Sequence, residues 1–170
     1  MAVNLSSSAE WAVPTRYLYR KGKTVEYDVG HIGRVIAARL FEGEDLYESI
    51  ESLARKENIA AAAVLITGGI RKTNIVVGPK KETPKIEPDL QSFNGPGEAL
   101  GVGTIYPGPD GPSLHIHTGI GKKGSVVIGC PRGSTEIFLI LEVMILELEG
   151  IGGQRILDED KGLHLLRFPK

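Results

Sequence analysis

The chain has 170 residues, of which 41% are hydrophobic and 24% charged, proportions typical of one globular domain. Its single cysteine, Cys130, excludes an intrachain disulfide and suits a reducing compartment. The net charge of −1 excludes a globally basic nucleic-acid binder, because phosphate neutralisation dominates the affinity of such proteins. Residues 1–10 lack a signal-peptide pattern, and every apolar run is too short to span a bilayer. We therefore expect a cytoplasmic protein with no membrane partner.

The first third of the chain predicts an arm, a hairpin and a helix. Residues 1–14 are small and polar, which indicates a flexible arm before a single domain over residues 15–170. Residues 16–19 and 24–29 predict a hairpin, and residues 35–40 predict a further strand. Between residues 43 and 58, apolar side chains recur at helical spacing, acidic side chains come first and basic ones last. This pattern predicts the main helix.

The rest of the sequence, after residue 58, predicts mainly strands and turns. The 22 glycines and 10 prolines favour many short strands over a helical bundle. We predict strands at residues 64–67 and 71–77, a surface loop at 79–89 and a strand pair within 93–105. Residues 136–149 form a nearly continuous apolar run, whose flanking glycines and β-branched content favour a central strand over a helix. Residues 163–168 predict a short closing strand.

Two histidines stand out in the predicted hairpin at residues 113–130. His115 and His117 are two residues apart, so their side chains point to the same face of a strand. The sequence Gly-Lys-Lys-Gly at residues 121–124 is symmetric about the point between the two lysines. A two- or four-residue loop there would place Cys130 opposite His115 and Ile128 opposite His117. Since cross-strand partners share a face, Cys130 would then join both histidines.

Two imidazoles and one thiol are three metal ligands, which leave one coordination position open for water or substrate. That set fits a zinc site of the catalytic type or another borderline divalent metal. The alternative is that the histidines are ordinary structural residues and that Cys130 is an inert buried side chain. A three- or five-residue loop would shift the register by one residue and send Cys130 to the other face.

Other polar residues are weaker candidates. His31 lies between glycines and is interpreted as a turn residue, and His164 as a structural histidine in the tail. Glu136 and Glu142 are candidates for acid/base groups, although nothing in the sequence directs them to the histidines. No catalytic residue or DNA-binding residue is assigned from the sequence.

Several segments resemble the plants and prokaryotes conserved (PPC) domain family, which also occurs in AT-hook nuclear proteins. Residues 39–46, Arg-Leu-Phe-Glu-Gly-Glu-Asp-Leu, are similar to the family's opening strand and helix start. Residues 112–117 and 124–129 resemble its Leu-His-x-His hairpin. The resemblance extends over residues 16–168. It implies an α+β fold, an antiparallel and partly mixed β-sheet with the main helix packed on it, and assembly as a homotrimer.

The resemblance also implies two functions. Prokaryotic members carry a candidate metal site with a third histidine where this chain has Cys130. Plant members add an AT-hook that binds A·T-rich DNA, but its Arg-Gly-Arg-Pro core is absent from this sequence. We rank a trimeric metal-site domain, with ligand binding or a metal-assisted reaction, first. A DNA-associated regulator follows, which would need a basic surface such as Arg16, Arg20, Lys21 and Lys23. A structural oligomerisation module is third.

Overall fold

The computed structural model describes residues 16–20 and 23–169. The predicted arm at residues 1–14 and residues 15, 21, 22 and 170 lie outside the described residues. The strands and the helix, in chain order, are β1 (Arg16–Arg20), β2 (Lys23–Tyr27), β3 (His31–Phe41), α1 (Leu46–Lys56), β4 (Ala62–Pro79), β5 (Pro88–Gly108), β6 (Gly111–Lys122), β7 (Ser125–Glu149), β8 (Gln154–Asp158) and β9 (Leu163–Arg167).

A five-stranded sheet forms the centre of the molecule, in the order β3-β7-β4-β5-β6. The first residues of β7 also pair with β6, so β4, β5, β6 and β7 form a closed ring of pairings. Two separate hairpins, β1–β2 and β8–β9, complete the fold.

Every strand pair within the described residues is antiparallel, so the prediction of a partly mixed sheet was wrong. The connections give the physical reason. Neighbouring parallel strands need a long crossover, whereas most strands here follow one another through short turns. The connection that contains α1 joins β3 to β4, and these two strands lie on either side of β7 rather than beside each other.

The strands are longer than the sequence predicted. The two strands expected at residues 64–67 and 71–77 are one strand, β4, and the strand pair expected within residues 93–105 is the single strand β5. The register with β7 shifts after Gly68 and after Ile70, but the strand continues through both positions. A Cβ atom at Gly68 would collide with the Ile140 carbonyl oxygen, so glycine permits this close approach. The central strand and the closing strand were predicted correctly, but β8 was not predicted.

The helix packs on the sheet through Leu46, Ile50 and Ala54, which are buried. Burial of a leucine or isoleucine side chain stabilises the fold by about 1.5–3 kcal/mol. The helix is shorter than the predicted span of 43–58 because its first turn is fixed by Asp45. The Asp45 carboxylate accepts hydrogen bonds from the backbone N–H groups of Tyr47 (2.9 Å) and Glu48 (3.1 Å).

Within the described part of the chain, no helix is both long enough and apolar enough to cross a membrane.

Candidate metal centre

Strands β6 and β7 bring together the three side chains that the sequence singled out. One ligand atom each from His115, His117 and Cys130 lies within 4.8 Å of the others. The two imidazole rings meet edge to face, with their centroids 5.1 Å apart. Cys130 is buried, His115 is partly exposed and His117 is exposed, so the group opens toward solvent on the His117 side.

The register that produces this group differs from the predicted one. Ile128 pairs with Gly119, and Thr118 pairs with Gly129, so continuation of the ladder would place Cys130 beside His117 rather than His115. The turn is centred on Lys123 and Gly124, whose φ angles are +49° and +80°. Two left-handed residues are typical of the two-residue type I′ hairpin turn, in which glycine is preferred at the second position. The predicted turn would have put two lysines in those positions.

Although the predicted register was wrong, the prediction that the three side chains share a face does not depend on the difference. The partner of each β6 residue moves by two positions, and side chains two positions apart lie on the same face of a strand. Beyond Gly129, β7 leaves β6 and pairs with β4, where Cys130 lies opposite Val76. Cys130 is therefore held between two neighbouring strands, which accounts for its exposure of only 4%.

The helix is hydrogen-bonded to both strands that carry the candidate ligands. The Tyr47 hydroxyl donates a hydrogen bond to the carbonyl oxygen of Pro131 (2.7 Å), next to Cys130. The Glu51 carboxylate accepts one from the backbone N–H of Leu114 (2.9 Å), next to His115. Residues four apart on a helix lie on the same side, so one side of α1 fixes both strands. The sequence analysis missed Tyr47 and Glu51, although their spacing beside the apolar face was a usable signal.

Two arginines flank the group. Arg155, on β8, donates a hydrogen bond through Nη2 to Thr104 Oγ1 (2.8 Å), and Thr104 is the cross-strand partner of His115. Arg132 donates through Nη1 to the Pro131 carbonyl oxygen (3.1 Å). Arg132 lies two residues after Cys130, a spacing that could have identified it. Arg155 could not have been identified from the sequence, because only the tertiary fold brings it near His115.

Burial and the nearby arginines shift the pKa values of His115 and Cys130. Burial lowers the pKa of His115 to about 4, and the charges of Arg155, His117 and Arg132 act in the same direction. His115 is therefore neutral at pH 7 and has a lone pair available for a metal. Burial raises the pKa of Cys130, and Arg132 and Tyr47 oppose that effect through charge and hydrogen bonding. The metal-free thiol is protonated at neutral pH, so a metal must displace its proton.

The donor set fits a tetrahedral divalent metal. Zinc–nitrogen bonds of about 2.0–2.1 Å and zinc–sulfur bonds of about 2.3 Å place neighbouring ligand atoms roughly 3.3–3.6 Å apart. The ligand atoms here lie within 4.8 Å, so side-chain movements of about an ångström bring them to bonding geometry. Three protein ligands leave one tetrahedral position open.

The other polar candidates lie elsewhere or have different roles. His31 is the first residue of β3 and not a turn residue, and its Nε2 lies 3.1 Å from a carboxylate oxygen of Glu149. His164 lies in β9 and is exposed. Glu136 forms ion pairs with Arg71 (3.0 Å) and Lys72 (2.9 Å).

An open groove of about 1040 Å³ lies on the sheet beside the group and includes His117 and Glu142 in its lining. We call it the apolar groove. Several of its apolar side chains are strongly exposed, among them Leu100 (70%), Val102 (65%) and Ile128 (67%). An apolar surface of this kind on a single chain is typical of a surface that a partner covers.

Several solved structures have a fold similar to that of this chain. A metal-containing protein from Archaeoglobus fulgidus is 30% identical, with a TM-score of 0.73 over 82% of this chain and 96% of that chain. A plant- and prokaryote-conserved (PPC) protein from Pyrococcus horikoshii is 26% identical, with a TM-score of 0.73 over 84% and 96%. A candidate DNA-binding protein from Ralstonia eutropha is 17% identical, with a TM-score of 0.65 over 90% and 96%.

A comparison with curated proteins found no matching relative. The model of the Plants and Prokaryotes Conserved (PCC) domain matches residues 27–149, which is most of the chain and includes β3 to β7 and all three candidate ligands. This match confirms the resemblance that the helix start and the histidine hairpin indicated. The chain belongs to the PCC domain family, the family abbreviated PPC above.

Proposed function

We propose that the chain is a metal-binding domain in which His115, His117 and Cys130 hold one divalent metal ion. The observation that carries the proposal is the approach of the three ligand atoms to within 4.8 Å of one another. Two strands and a helix converge to fix this group, with Tyr47 and Glu51 bonded to the neighbours of the ligands. Such supporting contacts commonly orient metal ligands.

Zinc suits the donor set best, because imidazole nitrogen and thiolate sulfur are its usual ligands and tetrahedral geometry is its usual choice. A divalent metal with three protein ligands supplies Lewis acidity at an open coordination position. The domain would therefore bind a ligand or assist a reaction at that position. The 30%-identical protein from Archaeoglobus fulgidus, described as metal-containing, gives independent support.

The test is elemental analysis of purified protein by inductively coupled plasma mass spectrometry. We expect close to one equivalent of zinc in the parent after loading and dialysis, and a large loss in Cys130→Ser and in His117→Ala. His164→Ala is the matched control, since it removes an exposed histidine of β9 that is outside the group. A parent that takes up no metal, or variants that retain it fully, would refute the site.

We further propose that the domain assembles as a homotrimer through the apolar groove. Family resemblance suggests the trimer, and the exposure of Leu100, Val102 and Ile128 supplies a surface for it. Burial of apolar surface stabilises association by roughly 25 cal/mol per Å², before the cost of ordering is subtracted.

A DNA-associated role is the second candidate. In the β1–β2 hairpin, Arg20 pairs with Lys23, so two basic residues lie opposite each other across the strands. The relatives described as candidate DNA-binding proteins share the fold at 16–17% identity. Duplex binding that weakens steeply with salt and with Arg20→Gln would support this role, and salt-insensitive or absent binding would remove it.

A further inference from the structure

Two guanidinium groups lie beside the candidate metal centre without a carboxylate partner. In the part of the chain that the structure describes, neither Arg132 nor Arg155 forms an ion pair with Asp or Glu. Among the same residues, Arg34, Arg71 and Arg167 pair with carboxylates, whereas the exposed Arg55 does not. Arg155 is partly buried, and a cation removed from water without a counter-charge is costly, so such a group is a candidate to serve a ligand.

Arg155 is placed by the sheet. Its Nη2 hydrogen bond to Thr104 Oγ1 brings the guanidinium to the residue opposite His115. Its plane lies near the buried Tyr106 ring, with the guanidinium carbon 5.6 Å from the ring centroid. Its Nε atom is buried and has no hydrogen-bond partner among the described residues. A buried N–H group without an acceptor costs about 1–3 kcal/mol, so a shift of this side chain toward a bound acceptor would recover free energy.

Arg132 lies near Cys130, since it lowers the pKa of the Cys130 thiol through its charge and a hydrogen bond. It follows Cys130 by two residues on β7, and it donates a hydrogen bond to the carbonyl oxygen of Pro131. The same oxygen accepts a hydrogen bond from the Tyr47 hydroxyl. Its side chain is exposed, in contrast to that of Arg155. One guanidinium is therefore partly buried and bonded to Thr104, opposite His115, and the other lies at the surface near Cys130.

We propose that the candidate metal centre binds a small-molecule oxyanion, a carboxylate or a phosphate, between Arg155 and Arg132. The inference deepens the proposed function and rests on it for the metal. In the loaded site, two guanidiniums and a divalent metal face a single thiolate, so the site attracts negative charge. Guanidinium groups match the geometry of carboxylate and phosphate oxygens and form charge-assisted hydrogen bonds with them.

The experiment is isothermal titration calorimetry with sodium acetate and inorganic phosphate, on zinc-loaded and metal-free protein at matched ionic strength. We expect at least one of the two oxyanions to bind, more tightly with zinc, and we expect Arg155→Gln to weaken its binding about tenfold or more. Arg132→Gln should weaken binding too, and its exposed position keeps the fold intact. Arg55→Gln is the matched control, an exposed arginine near the end of α1, far from the group in sequence.

The possible failures are distinguishable. If the parent takes up no zinc, the proposed metal function fails, and the titration of metal-free protein alone decides whether the arginines bind an oxyanion. If zinc binds but neither oxyanion does, the present inference is overturned while the metal site stands. Binding that is equal in the parent, Arg155→Gln and Arg132→Gln would also overturn it. So would binding of a short DNA duplex without binding of either free oxyanion.

Discussion

Replacement of Asp45 with alanine removes three hydrogen bonds at the start of the helix. One carboxylate oxygen accepts from the backbone N–H groups of Tyr47 and Glu48, and the other accepts from that of Thr135 (2.7 Å). Loss of a helix cap costs about 1 kcal/mol. Thr135 is fully buried, so its N–H group would be left without an acceptor at a cost of about 1–3 kcal/mol. We expect the variant to lose about 2–4 kcal/mol of unfolding free energy.

Urea denaturation followed by far-ultraviolet circular dichroism measures this loss. Thermal unfolding gives a second measure. For a chain of this size, a loss of 1 kcal/mol in unfolding free energy lowers the melting temperature by about 2–4 °C, so we expect the melting temperature of the variant to fall by roughly 5–15 °C. Glu48→Ala is the control, because it removes a nearby negative charge that accepts none of these bonds. A loss in Asp45→Ala below about 1 kcal/mol, or one equal to that of Glu48→Ala, would refute the reasoning.

Two further predictions concern the metal centre and the apolar groove. The pKa of His115 is lowered to about 4 in the fold, whereas it is about 6.5 in the unfolded chain, so the unfolded chain takes up the proton first. Metal-free protein should therefore lose stability as pH falls from about 6.5 to about 4, by about 1–2 kcal/mol after screening at this partly exposed site. His115→Asn should flatten this part of the urea-derived stability profile, and an unchanged slope would contradict the assigned pKa. In the apolar groove, Leu100→Glu should convert trimers to smaller species in sedimentation velocity, while Leu157→Glu, at an exposed leucine of β8, should leave the mass unchanged. A parent that sediments as a monomer would remove the proposed assembly.

The sequence by itself determined the features that depend on local periodicity. The helical spacing of Leu46, Ile50 and Ala54 identified α1, and the apolar run at residues 136–149 identified the central strand. The alternation of side chains along a strand placed His115 and His117 on one face. The same alternation placed Cys130 on the face of the two histidines. The predicted register was wrong by two residues, and a shift of two residues leaves every side chain on the same face.

The tertiary structure decided what depends on the path of the chain in space. Whether β4 ends or bends at Gly68 depends on the backbone of Ile140, more than 70 residues away. The antiparallel order follows from β7 lying between β3 and β4, which no local pattern specifies. Arg155, on β8, is brought near His115 by its hydrogen bond to Thr104, the cross-strand partner of His115 on β5. The sequence could thus identify the candidate metal ligands, which are close along two paired strands, but not the charges around them, since long-range packing brings those together.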